Sequence, residues 1–194
     1  MKLGKTLSLA SLALLVAAGI QAQKIKVIEG DISMLKSEKS INTAFTYDNM
    51  KVGKFDKESE YIDKKKSEYN SKEPGHGDTW AKAWVDDRAN RYEPKFNELF
   101  TKSSGMSISK NARYTLVYKT SFTEPGFNVG ISRKNAETNA EAWIVETATQ
   151  KVVAKLSVDK AKGRDVWGAD FDTGARIAEC YADAGKALGS YVTK

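Results

Sequence analysis

The sequence is poor in the residues from which most enzyme centres are built. Its 194 residues include one cysteine and one histidine. That count alone excludes a zinc finger, a haem-attachment motif and an intramolecular disulfide. Proline is equally scarce, at 3 residues, and no Pro-, Ser- or Gly-rich linker divides the chain. No Gly-x-Ser-x-Gly elbow offers a hydrolase nucleophile. Acids and bases interleave, as in "DKKKSEYNSKE", so no single-sign stripe of the kind that tracks nucleic acid appears. No cofactor, metal or nucleic-acid partner is expected. What is present is an ordinary globular balance, 41% hydrophobic, 29% charged and 10% aromatic, which excludes disordered and collagen-like classes.

The N-terminus reads "MKLGKTLSLASLALLVAAGIQAQ". Lys2 and Lys5 supply a positive start, Leu7 to Ile20 an apolar run, and Ala22 a small residue at a cleavage point. This pattern predicts a secretory signal peptide over residues 1–22. The run falls short of the roughly 20 apolar residues of a membrane span. No cysteine lies near the cut, so lipoprotein processing and a stable membrane anchor are not expected. The product would be an exported protein of the periplasm or extracellular space, with 29 basic and 25 acidic residues, a net charge of +4.

Residues 23–194 suit one domain. "KIKVIEGD" and "INTAFTYD" alternate as strands, the second with Ile41, Thr43, Phe45 and Tyr47 on one face. From Asp56 the pattern turns helical, with Phe55, Ile62 and Tyr69 seven residues apart, until "EPGHG" stops it. Asp78 is placed to cap the next helix, which Pro94 should kink near Glu93. "ARYTLVYKTSF" alternates Tyr114, Leu116, Tyr118 and Phe122 as a long strand. "EAWIVET" is apolar on both faces and suits a central strand, and "ATQK" joins it to "VVAKLSV" as a hairpin. A helix from Asp172 closes the chain. Its large stripe is Ile177, Tyr181, Leu188 and Val192; beside it Ala178, Ala182, Gly185 and Gly189 form a small strip suited to close approach to a sheet. Strands, helices, strands and a final helix predict an α+β fold, a mostly antiparallel sheet with helices packed on one face.

Functional nominees are few. His76, between two glycines, reads as an exposed loop histidine, and Cys180 as buried packing. "DFDTG" echoes half a calcium loop, but Asp172 capping the last helix explains it better. Trp80 and Trp84 share a helix face and read as core. The links "TEPGFNVGISRKN" and "GRDVWGADFD" are Gly-containing and carry aromatics. Phe127, Arg164 and Trp167 are therefore the candidate partner contacts, since a rigid exposed aromatic gives a partner large area at little entropic cost. For Trp167 a fold back over the sheet edge stands equally open.

The stretches "YTLVYKTSFTEPGFNVGISRKNAETNAEAWIVETATQKVVAKL" and "GADFDTGARIAECYADAGKALGSYV" resemble a set of exported bacterial envelope proteins. More distantly they are similar to the α/β modules of the curli-secretion lipoprotein and of the Tol-system propeller's N-terminal domain. The likeness covers about residues 110–192 and implies an envelope location without bringing any catalytic residue. An export signal without a complete catalytic set points to a non-catalytic exported envelope module that binds a protein or surface polymer. The alternative is a carboxylate-dependent hydrolase acting on cell-wall glycans, with Glu137 and Glu141 as nominees.

Mass spectrometry of the exported protein is expected to show a chain beginning at Gln23. A mature chain that keeps Leu7 to Ile20 would overturn the secretory reading.

Overall fold

Alternating side chains along the long strands give the sheet one buried face and one open face. A computed structural model describes residues 23–129, 132–163 and 172–194. It contains a seven-stranded sheet in the order β1 (Lys24–Gly30), β9 (Lys151–Lys162), β8 (Glu137–Glu146), β5 (Tyr114–Glu124), β2 (Ser40–Thr46) and β4 (Ser107–Ile108). The short β3 (Lys51–Val52) continues the β2 edge along the far end of β5. The long pairings β1–β9, β9–β8 and β8–β5 are antiparallel, whereas β2, β3 and β4 join in parallel. β6 (Phe127–Val129) and β7 (Ser132–Lys134) make a separate hairpin, so the Gly-rich link after "EPG" is strand. The α+β class expected from the sequence is the observed one.

"EAWIVET" lies in β8 at the sheet centre, and Ala140, Ala142 and Ile144 point inward beside Ala154, Leu156 and Val158 of β9. In β5 the inward set begins as expected with Tyr114, Leu116 and Tyr118. It then departs from the sequence pattern. A register shift between Thr120 and Phe122 inserts a bulge, which reverses the sides beyond it. Thr120 and Thr123 are buried and Phe122 is only half-buried.

Between β2 and β5 run α1 (Glu58–Asn70), α2 (His76–Asp87), a π-helical turn (Arg88–Tyr92) and α3 (Glu93–Ser104). Pro94 sits in the first turn of α3, where its fixed φ suits the helix. The π turn ahead of it is the break expected near Glu93. α2 opens at His76 rather than after Asp78. The reason is not local: Asn70 at the end of α1 accepts the Gly77 N–H at 2.7 Å, and Asp78 turns back to Lys66 at 2.6 Å. His76 is exposed, but it is the first residue of the helix and stacks on Tyr69.

α4 (Thr173–Val192) lies on the buried sheet face beside α3. Phe96 and Phe100 of α3 join Ile177, Tyr181, Leu188 and Val192 of α4 in the core, and each such buried side chain contributes about 1.5–3 kcal/mol. The small strip of α4 does not face the sheet. A Cβ at Gly185 would run into the Phe96 carbonyl, and one at Gly189 into that of Phe100. The large stripe occupies the sheet side, and the glycines let the α3 and α4 backbones meet.

Gly185→Leu is therefore expected to destabilise the fold by about 1–3 kcal/mol through overpacking. A neutral or stabilising result in a denaturant titration would show that α4 does not dock on α3 in this way.

Candidate functional site: an aromatic cleft

α1 has no fully buried residue, so its attachment depends on half-buried aromatics. Tyr61 meets Phe55 at 5.9 Å, Trp80 at 5.9 Å and Trp84 at 5.0 Å between ring centroids. Tyr69 meets Trp80 at 5.6 Å. These tilted and edge-to-face geometries are the favourable ones for aromatic pairs. Behind them Trp84 is core, and its indole N–H donates to Glu58 at 2.6 Å. The same carboxylate receives Arg88 at 2.5 and 2.6 Å, and the guanidinium lies 4.2 Å from the centre of the Tyr47 ring.

The facing wall comes from the end of β5, the β6–β7 hairpin and the start of α4. Glu124 accepts the Gly126 N–H at 3.1 Å and pairs with Lys134 at 2.6 Å. From α4, Arg176 donates to the carbonyls of Pro125 and Gly126, at 3.3 and 3.4 Å, and to Thr173. Gly126 has φ +67°, and a Cβ there would collide with the backbone of Lys134 and Ala136. Only glycine fits.

Between the walls is an open cleft of about 490 Å³, within the usual size of small-molecule sites. Phe55, Tyr61, Tyr69 and Trp80 line one side; Phe127, 42% exposed, stands at the other. Burial, then the neighbouring Tyr69 and Glu124, push the Tyr61 hydroxyl above its ordinary pKa, so it remains a neutral donor and acceptor. Among the described lining residues Glu124 is the one carboxylate.

The structure thus brings Phe127 to a cleft, while Arg164 and Trp167 lie outside the described residues. Trp84 is core as expected, but Trp80 is only half-buried and lines the cleft. Trp143 lies away from it, on the open sheet face, with Lys119 at 4.1 Å, Lys155 at 5.0 Å and its N–H on Glu141 at 2.7 Å. Glu137 and Glu141 do not line the cleft. Four residues apart on a strand, their backbones are about 13 Å from each other. Cys180 is buried, which pushes its thiol up in pKa, and is inert packing. No group of three or more metal-ligating side chains occurs among the described residues.

No protein-family model matches the chain, and no curated protein matches it. Among solved structures it is similar to the PelC dodecamer from Paraburkholderia phytofirmans, in two crystal forms. Each has 11% identity and a TM-score of 0.37 over 84% of this chain and 97% of that one. The resemblance to exported envelope modules accordingly rests on sequence motifs alone.

The position of Arg176 depends on where α4 begins. Asp172 caps that helix by accepting the Ala175 N–H at 3.2 Å, and Arg91 bonds it at 2.5 Å. Burial opposes ionisation of Asp172, yet these partners outweigh burial and hold its carboxyl below the ordinary value. Arg91 also pairs with Asp87, whose carboxyl burial pushes up. A depressed carboxylate contributes stability above its unfolded pKa and loses it as pH falls through the folded one. Asp172→Ala is thus expected to cost about 0.5–2 kcal/mol at neutral pH. The difference from wild type should vanish well below about pH 4. Denaturant titrations across that range check it; an undiminished cost at the acid end would remove the carboxylate cap as its cause.

Proposed function

We propose that this chain is an exported, non-catalytic envelope module that binds a surface polymer through the aromatic cleft. The observation that carries this reading is the lining: five aromatic side chains face an open cleft whose far wall is fixed by backbone contacts at Gly126. Exposed aromatics on a rigid frame give a binding surface large area at small entropic cost. Export is supported by the N-terminal pattern of Lys2, Lys5 and the run to Ile20. In the described residues no helix is long and apolar enough to cross a membrane. The placement of the carboxylates favours binding over glycan hydrolysis. Glu124 is already paired with Lys134, and Glu137 and Glu141 lie outside the cleft, whereas hydrolysis needs two carboxyls about 5–10 Å apart across a substrate.

Sedimentation with an insoluble surface-polymer fraction tests the reading. Wild-type protein should pellet with the polymer, and a Phe127→Ala variant, changed at an exposed ring, should lose most of its pelleting at an unchanged melting temperature. Equal pelleting of the variant would move the contact away from the cleft. Release of reducing ends by the wild type, lost in Glu137→Gln or Glu141→Gln, would replace the binding module with a hydrolase.

A further inference from the structure

We infer that β1 pairs antiparallel with β1 of a second copy of this chain, Lys26 of each opposite the partner's Glu29, so that two sheets join into one. This pairing is independent of what the cleft binds. β1 is the last strand of the sheet order and pairs with β9 alone. No described strand lies along its outer edge, and all its residues but Ile25 are exposed. Such an edge carries a row of unpaired backbone N–H and C=O groups. Lysines and a bulge often serve only to blunt an edge of this kind. Here they are arranged so that one partner strand fits.

The segment "KIKVIEGD" places Lys24 and Lys26 at one end and Glu29 and Asp31 at the other. Between them Val27 and Ile28 are 37% and 55% exposed. Neither lysine is ion-paired among the described residues. Glu29 gives one carboxylate oxygen to Lys155 at 2.6 Å and is otherwise open, its side chain 63% exposed. A copy running antiparallel sets bases against acids and Val27 against Ile28. A copy running parallel sets like charges together, which is unfavourable.

The bulge supplies the geometry. Three residues apart on a regular strand, Lys26 and Glu29 would point to opposite faces. The register shift between Val27 and Glu29 inserts Ile28, so that Lys26 lies opposite Ser157 and Glu29 opposite Lys155. Ser157 and Lys155 flank the buried Leu156, so both β1 side chains stand on the open sheet face. A two-fold axis through the edge, perpendicular to the sheet, keeps each face on its own side and brings Lys26 to the partner's Glu29 twice. Bulge then faces bulge, and no residue is left over. The pairing is isologous and uses up both β1 edges. The opposite edge ends in β3 and β4, of two residues each, so assembly stops at two chains.

Sedimentation velocity of the purified protein over a wide concentration range tests this. Wild type should pass from monomer to dimer, and the dimer should weaken several-fold as salt is raised. Lys26→Glu and Glu29→Lys each set like charges against each other in a homodimer, so each variant alone should stay monomeric. Both positions are exposed, so each should melt with the wild type. Mixed one to one, the two variants should dimerise again, because every contact between residues 26 and 29 then joins opposite charges. A wild type that stays monomeric throughout would overturn the inference and leave β1 a blunted edge. So would dimers indifferent to both substitutions, species that grow beyond two chains, or a mixture of the variants that remains monomeric.

Discussion

Glu58 takes two contacts from a single nitrogen, Nη2, of the Arg88 guanidinium and a third from the Trp84 indole, and the position of α1 depends on that cluster. α1 buries no residue completely, so packing alone holds it weakly. The carboxylate and guanidinium are about one-fifth exposed, at 18% and 20%. Losing one partner would strand the other in a largely desolvated place, short of the about 3–5 kcal/mol of a fully buried pair. The cluster also reaches the cleft. Trp84 packs on Tyr61 and Trp80, so the group that anchors α1 also sets the aromatic wall of the cleft.

Arg88 reaches Glu58 from one turn beyond Trp84, on the same helix face, and there the chain widens into a π turn at Arg88–Tyr92. One extra residue in a helix rotates everything beyond it by about 100°. Upstream, Trp80 and Trp84 face α1. Downstream, Tyr92 stacks on Tyr181 at 5.1 Å, and Phe96 meets Tyr118 at 4.8 Å in the sheet core. The turn lets one nearly continuous helical run serve two different packing partners. Pro94 follows two residues after it, in the first turn of α3.

Features decided by neighbours in sequence were legible there. Alternation marked the long strands, four residues marked the β8–β9 hairpin, and a single carboxylate marked the start of α4. Features decided across space were not. The bulge after Thr120 leaves no local sign, so Phe122 was placed on the wrong side. A glycine strip looks the same whether it approaches a sheet or a helix, and here α3 is what it meets. The start of α2 depends on Asn70, seven residues before Gly77. For the site, Phe127 stood out because its Gly-rich link suggested exposure. The opposite wall did not, because the seven-residue spacing drew attention to Ile62, whereas Tyr61 is the residue that turns to the cleft. The eight-residue step from Tyr61 to Tyr69, just over two helical turns, was the available signal.

Gly126 has a consequence for how such a cleft can diversify. Its left-handed backbone is wedged against the carbonyl of Lys134 and the N–H of Ala136, and Arg176 reaches the carbonyls on either side of the Pro125–Gly126 bond. The contour of that wall is drawn by main chain, which every amino acid shares. Phe127 and, across the gap, Lys54 and Lys65 project from this frame without building it. Outline and chemical character therefore have separate sources: the three projecting residues can be exchanged without redrawing the groove, while the glycine that shapes it admits no replacement.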